Sequence, residues 1–390
     1  MSHKDRLAVR IAPAIREVPA AAWDALANPA SAPFDPFLAH GFLAALEQAG
    51  TVAESTGWAP RHVLLQDGAG NLLGCMPCYL KRHSQGEYVF DHGWADAYQR
   101  AGGRYYPKLQ AAVPFTPVPG RRLLTGAAAG NRATLLATGA VEYARTLGVS
   151  SLHIAFLPEA DWRGLAQLGF LQRLDRQFHW TNRGYRSFDD FLAALSSRKR
   201  KTVRKERADV RSAGLTIEWV RGRDIAEAHW DTFFAFYMDT GSRKWGRPYL
   251  NRRFFSLLGQ AMAERCLLVM AKRAGRPVAG ALNLIGGDCL YGRYWGAVEH
   301  HPCLHFEVCY YQAIEFAIAN GLPRVEAGAQ GEHKLARGYL PAATYSAHWI
   351  ADAGFRRAVA RYLDEERVQV SEHGQALAAL GPYRKGDDTR

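Results

Sequence analysis

Apolar positions along the chain follow two periods, and the same order of periods occurs twice. In "AVEYARTLGVSSLHIAF" (140–156) apolar residues fall three and four apart, then come a glycine and an apolar run. That pattern predicts a helix closed by a left-handed glycine and followed by a buried strand. "AIEFAIANGLPRVEAGA" (313–329) aligns with it without a gap. Ala140, Glu142, Ala144 and Gly148 stand opposite Ala313, Glu315, Ala317 and Gly321. Upstream, "PFLAHGFLAALEQA" (36–49) and "PYLNRRFFSLLGQA" (248–261) form a second, collinear pair. Between these anchors, alternating runs broken by "DGAGN" and "IGGDC" predict antiparallel meanders. Each half reads helix, meander, helix, strand, which points to a duplicated unit with its boundary near residues 180–190, taken at 183/184. Residues 354–380 predict one or two amphipathic helices, and "RKGDDTR" a frayed end.

Composition adds limits. The chain has 390 residues, 48% hydrophobic and 22% charged, an ordinary globular balance long enough for two domains. No apolar run is long enough for a transmembrane helix. The start, "MSHKDRLAVRIAPAIREVP", lacks the pattern of a secretory signal, so a cytoplasmic location is expected. Six cysteines are too few for a disulfide scaffold. Cys75 and Cys78 form a CxxC, but it lies in a strand pattern that turns them to opposite faces, and no second pair completes a zinc set. No metal is expected.

The charge is uneven. The chain carries +12, and "SSRKRKTVRKERADVR" (196–211) holds eight basic residues against two acids, a net of +6. That points to a localised anion site, with Arg200 and Arg204 as phosphate-binding candidates. A nucleic-acid contact and a solvated helix face are the other readings of the run.

The densest polar chemistry is "RVEAGAQGEHKLARGYLP" (324–341), where Glu326, Gln330, Glu332, His333, Lys334 and Arg337 sit among three glycines. It lacks the G-x-x-x-x-G-K-[ST] spacing of a phosphate loop and has one histidine, so neither a Walker loop nor a metal site fits. Its repeat partner leads into "LPEADWRG", with no lysine in the equivalent place. One copy is loaded with acid–base groups and its twin is not, which places the active site in the second half. Three neighbours add candidates. In "EHHPCLHFE", Pro302 predicts a helix start that leaves His301 outside and makes His305 a pocket-lining residue. In "LYGRYWGA", alternation puts Tyr291, Arg293 and Trp295 on one face of a strand. In "GSRKWGRPYL", a connection between helices, Arg243, Trp245 and Tyr249 interleave charge with aromatics, as stacked or anionic ligands require.

Meander, helix, strand is similar to the core order of the GCN5-related N-acetyltransferase (GNAT) fold. Two such units resemble the Fem-type transferases, which add amino acids to peptidoglycan precursors. The basic stretch 196–219 resembles the start of their second half. His305–Glu307, Cys309–Tyr311, Ala313–Glu315, Ala329–Lys334, Arg337–Gly338 and Tyr345–Trp349 resemble the FemAB-like branch of N-acyltransferases. The resemblance implies an α/β (α+β) fold of two tandem GNAT-like domains, 1–183 and 184–390, each a mixed, mostly antiparallel sheet flanked by helices. It implies transfer of an acyl or aminoacyl group from an activated donor to an amine acceptor such as a cell-envelope precursor. Acyl-CoA, an acyl-carrier protein and aminoacyl-tRNA are the candidate donors or carriers. The GNAT pyrophosphate loop is missing from 296–311, while 117–136, with Arg121, Arg122, Gly126, Gly130 and Asn131, is the better cradle. No tightly bound cofactor is therefore expected, and acyl-CoA stands as a donor candidate only.

In such folds "LYGRYWGA" and "RVEAG" splay to admit the acyl group. Lys334 then stabilises the oxyanion or a substrate phosphate, and His333 or Glu326 serves as base. Arg337 anchors substrate, and Arg293, Trp295, Gln330, Glu332, Arg243, Trp245, Tyr249 and His305 line the substrate site. On the opposing structural view, Glu332, Lys334 and Arg337 pair locally to fix a loop. From a different class, the chain is a non-catalytic module that recognises envelope precursors or nucleic acid through 196–211 and 241–249.

Overall fold

The computed structural model describes residues 6–127, 130–245, 248–328 and 331–384, and of residues 242–245 the backbone. The first half opens with strand β1 (Ala8–Ala12) and helices α1 (Ala20–Ala27) and α2 (His40–Gln48). Four short strands follow, β2 (Trp58–Pro60), β3 (His62–Gln66), β4 (Leu72–Met76) and β5 (Cys78–Lys81). Helix α3 (His92–Arg100), β6 (Lys108–Ala111), α4 (Arg132–Leu147), β7 (Ser151–Leu157), α5 (Glu159–Ala166) and β8 (Leu171–Thr181) come next. The second half has α6 (Phe188–Ala194), α7 (Ser197–Ser212), β9 (Leu215–Arg221), α8 (Glu227–Trp245) and α9 (Arg252–Met262). It continues with β10 (Cys266–Arg273), β11 (Arg276–Ile285), β12 (Cys289–Ala297) and a short helix α10 (Leu304–Phe306). A π-helical turn, Glu307–Tyr311, joins α10 to α11 (Gln312–Ala319). Then come β13 (Arg324–Glu326), a 3₁₀ turn (Glu332–Arg337), β14 (Leu340–Ile350) and α12 (Ala353–Ala379).

The duplicated order is present. In each half the meander's last strand pairs in parallel with the strand after the long helix, β6 with β7 and β12 with β13. Gly148 (φ 63°) ends α4 and Gly321 (φ 65°) follows α11, left-handed positions that glycine takes without a Cβ clash. The halves differ at Pro77, which has no N–H to donate and separates β4 from β5. As a result β1, β3 and β4 form a small sheet of their own, and β5 pairs with β2 and β6. Cys75 and Cys78 fall on these two strands as buried free thiols, and burial pushes Cys78 up to about 12.

Contacts divide the chain into two compact units that are not contiguous. One is the chain up to Asp175 with Ala343–Glu372, the other Arg176–Ala342 with the chain from His373. The boundary expected at 183/184 follows chain order. The contacts depart from it because the strand after each unit's parallel pair is exchanged: β8 pairs with β13 (Thr181↔Arg324) and β14 with β7 (Ile350↔Ser151).

The first unit packs Val63, Leu65, Leu109, Leu136, Ala140, Leu152 and Ile154 into one core. It also buries a polar layer. Lys81 and Lys108 face each other across β5 and β6, both 0% exposed. Lys108 Nζ donates to Glu87 Oε2 (2.7 Å) and Ser84 Oγ (2.8 Å) and pairs with Asp91. His153 Nδ1 lies 2.7 Å from His348 Nδ1. The second unit's sheet runs β9, β10, β11, β12, β13, β8, and its core gathers Trp180, Phe191, Val203, Ala281, Leu290, Tyr311, Ile314 and Val325. Among the described residues no helix is long and apolar enough to cross a membrane.

Candidate functional site

The site is built where β12 and β13 part. Their pairing covers three positions and ends at Tyr291↔Glu326. Beyond it β12 continues to Ala297, while β13 gives way to Ala327 and Gly328.

Lys334 closes this fork. The 3₁₀ turn carries its side chain inward until it is 2% exposed. Its Nζ donates to the Gly328 carbonyl oxygen at 2.8 Å, and among the described residues no carboxylate pairs with it. Burial pulls its pKa down to about 8. The local pairing of Glu332, Lys334 and Arg337 expected on the structural view does not form. Glu332 is exposed and lies 3.6 Å from His373 Nε2. Arg337 binds Glu206 of α7 in a fork (3.1 and 2.6 Å) and donates to the His333 carbonyl (2.7 Å). Its guanidinium also covers the Phe306 ring at 3.3 Å. Those protein contacts tie Arg337 to α7, α10 and the 3₁₀ turn.

His333 stays exposed, and its Nε2 lies 2.8 Å from Tyr310 Oη in the π-helical turn. His305 fills the adjoining space, edge-on to Trp295 (5.3 Å) and Tyr310 (5.2 Å). Its helix begins at Leu304, later than Pro302, because Cys303 takes a left-handed conformation (φ 62°) just before it. Glu326 is buried, 3.3 Å from Arg324 Nε and 3.9 Å from His179 Nδ1. Burial, reinforced by Arg324 and Lys334, lowers His179 to about 3 and keeps it neutral.

The expected alternation along β12 fails. A bulge sets Tyr294 opposite Leu282 and Gly292 opposite Asn283, so Arg293 is the extra residue. Tyr291 and Tyr294 therefore share one face and Trp295 the other. Arg293 is half-buried with its guanidinium 5.2 Å from the Tyr294 ring. Residues 241–245, read as a connection, belong to α8; the side chains of Arg243 and Trp245, and Gln330 as a whole, lie outside the described residues. Tyr249 is 39% exposed.

The basic run is helix α7, and it has two sides. Val203 and Val210 are buried, and Arg207 binds Glu307 (3.0 and 2.9 Å) and Glu315 (2.7 Å). Arg198, Lys201 and Lys205 line a shallow surface depression with Ser197 and Thr202. Arg204 is exposed on another face, and Arg200 is half-buried, 3.5 Å from the Ala193 carbonyl. Among the described residues no group of three or more His, Cys, Asp or Glu is placed to hold a metal.

Sequence reasoning passed over His179, Tyr310 and Arg324. Tyr310 and Arg324 stood in segments already singled out, and their type was the available signal. His179 had none, since it reaches the site only through the β8–β13 pairing.

The comparisons agree with this architecture. The FemX crystal structure is 13% identical and matches with a TM-score of 0.51, over 80% of this chain and 93% of that one. The L-PGS structure from Bacillus licheniformis is 9% identical, TM-score 0.50, over 83% and 96%. A tandem GNAT protein from the clavulanic acid biosynthesis pathway is 10% identical, TM-score 0.48, over 89% and 99%. At these identities the FemX and L-PGS likenesses show the fold alone. No curated protein sequence matches the chain. The FemAB-like family model, described as peptidoglycan biosynthesis/recognition, matches residues 14–385. With that match over nearly its whole length, the chain belongs to the FemAB-like family.

Proposed function

We propose that the chain is an N-acyltransferase that moves an acyl or aminoacyl group from a thioester or ester donor to an amine. The observation that carries this is Lys334, a buried ammonium aimed at the end of β13 with, among the described residues, the Gly328 carbonyl as its one acceptor. A neutral amine attacks the activated carbonyl, and negative charge develops on its oxygen. An ammonium held out of water stabilises that charge strongly, because little reorganisation is needed. His333, its ring held by Tyr310, takes the proton from the attacking amine. It returns that proton to the leaving thiol or hydroxyl as the tetrahedral intermediate collapses. Buried Glu326 is tied to Arg324, which makes it the weaker choice of base.

The family description, peptidoglycan biosynthesis/recognition, supports a peptidoglycan precursor as acceptor. The row Arg198, Lys201 and Lys205 suits the phosphates of a nucleotide or nucleic-acid carrier on the donor. No tightly held cofactor enters this scheme, and acyl-CoA is one donor to try. The test is mass-spectrometric detection of an acylated amine with acyl-CoA, acyl-carrier protein and aminoacyl-tRNA as donors. Turnover with one donor, lost in Lys334→Met, supports the proposal. Binding without turnover, abolished by reversing charge on α7, favours a recognition module instead.

A further inference from the structure

Asn283 is a polar residue in an apolar row. On β11 it shares a face with Ala281, which is in the core, and Ile285, which packs against it. It is 1% exposed, yet among the described residues neither its Oδ1 nor its Nδ2 has a hydrogen-bond partner. Leaving a buried amide unpaired costs on the order of 1–3 kcal/mol, so a native protein rarely keeps one without a use.

The surroundings say what the use is. Asn283 faces Gly292 across the β11–β12 pair, immediately beside the bulge at Arg293. Gly292 does not adopt a left-handed conformation, so its backbone does not require glycine. What glycine supplies is room. A Cβ there would lie 3.4 Å from Asn283 Oδ1, 3.5 Å from the Glu326 carbonyl oxygen and 3.6 Å from Ala327 Cα. Gly292 thus leaves the room of a Cβ open at the fork of β12 and β13, with the Asn283 amide on one side and the start of the Lys334 loop on another.

We infer that Asn283 is a positioning residue that receives a secondary amide of the substrate chain threaded into this fork. An unpaired C=O and an unpaired NH₂ on one side chain are complementary to one N–H and one C=O on the ligand, which an amide presents together. A plain alkyl thioester or ester offers no donor and would leave Oδ1 unpaired. The inference rests on the acyl-transfer reading for why a chain enters the fork. The amide belongs to the donor's carrier arm or to a peptide acceptor, and the probes below separate the two.

The experiment uses the full chain labelled with [15N]asparagine, with the Asn283 side-chain signal assigned by its loss in Asn283→Leu. Three probes are titrated: S-acetyl-N-acetylcysteamine, which has an amide beside its thioester; S-pentyl thioacetate, which has none; and the dipeptide alanyl-alanine. The expected result is that one amide probe moves the Asn283 signal while S-pentyl thioacetate does not. That probe then binds about tenfold more weakly to Asn283→Leu and to Gly292→Ala, which fills the fork without backbone strain. Asn283→Leu melts no lower than the parent, because an apolar group of similar shape replaces an unpaired amide. A shift with the thioester probe assigns the amide to the donor, and a shift with the dipeptide to the acceptor. An Asn283 signal unmoved by both amides, or unchanged affinity in both variants, overturns the inference; so does a lower melting point in Asn283→Leu. Amide binding without acyl transfer would defeat the transferase reading and leave this one standing.

Discussion

At the residue scale, the two cations of the 3₁₀ turn have been given opposite tasks by their surroundings. Among the described residues Lys334 is desolvated with the Gly328 carbonyl as its hydrogen-bond partner, which leaves its charge to the proposed chemistry; Arg337 has Glu206, the His333 carbonyl and Phe306. Two variants test that contrast. Lys334→Met should lower transfer by about 10²–10³-fold while leaving the fold intact. Its stability effect has a definite sign. A lysine held at about 8 in the fold against 10.5 unfolded binds fewer protons folded than unfolded between those values. The parent therefore gains stability as pH rises from 8 to 10.5, and the Met variant does not, as denaturant titrations at several pH values will show. Glu206→Ala leaves the Arg337 guanidinium buried without its carboxylate and should cost about 3 kcal/mol, read from chemical denaturation. Because Arg337 also holds the His333 carbonyl, the same variant should reduce turnover.

At the element scale, α7 is a cationic helix made compatible with a fold by splitting its charges. Arg207 and Glu206 face inward to partners, and Arg198, Lys201 and Lys205 line the outer depression. Replacing those three with glutamate should leave the melting temperature within a few degrees, since surface substitutions are close to neutral. It should weaken binding of an anionic donor carrier and flatten its salt dependence, as measured by affinity at two ionic strengths. How α7 and the repeat anchors would fold was legible in the sequence, because helix period, terminal glycines and charge spacing are local properties. The β12 bulge was not. Nothing in "LYGRYWGA" marks Arg293 as the extra residue; the shift comes from pairing with Leu282 and Asn283 on another strand. The same holds for His179, whose neighbours are fixed by β8 joining β13.

At the scale of the whole molecule, the sequence showed two copies of one unit, and the structure shows that each copy's sheet is completed by the following strand of the other. Strand exchange over such separations leaves no periodic signal, so the boundary at 183/184 was legible only as a position along the chain. The first unit spends its buried polar groups on a layer that the proposed chemistry does not use. Burial pushes His153 to about 3 and His348 well below its ordinary value, and nearby Lys108 and Arg173 act in the same direction against Asp91. Histidines held neutral in the fold take up protons on unfolding. For His153 the stabilising contribution is full above about 6.5 and declines as pH falls toward 3, and His348 acts in the same direction. Melting should therefore begin to fall below pH 6.5, before most carboxylates titrate, and His153→Gln should shallow that slope in calorimetry.

The central claim is that Lys334, as an ammonium, drives acyl transfer. Single-turnover rates against pH, for the parent and Lys334→Arg, test it most directly. The parent rate should fall above about pH 8 as the ammonium loses its proton, and Lys334→Arg should keep a reduced rate without that falling limb. A Lys334→Met protein as fast as the parent across the same range would contradict it.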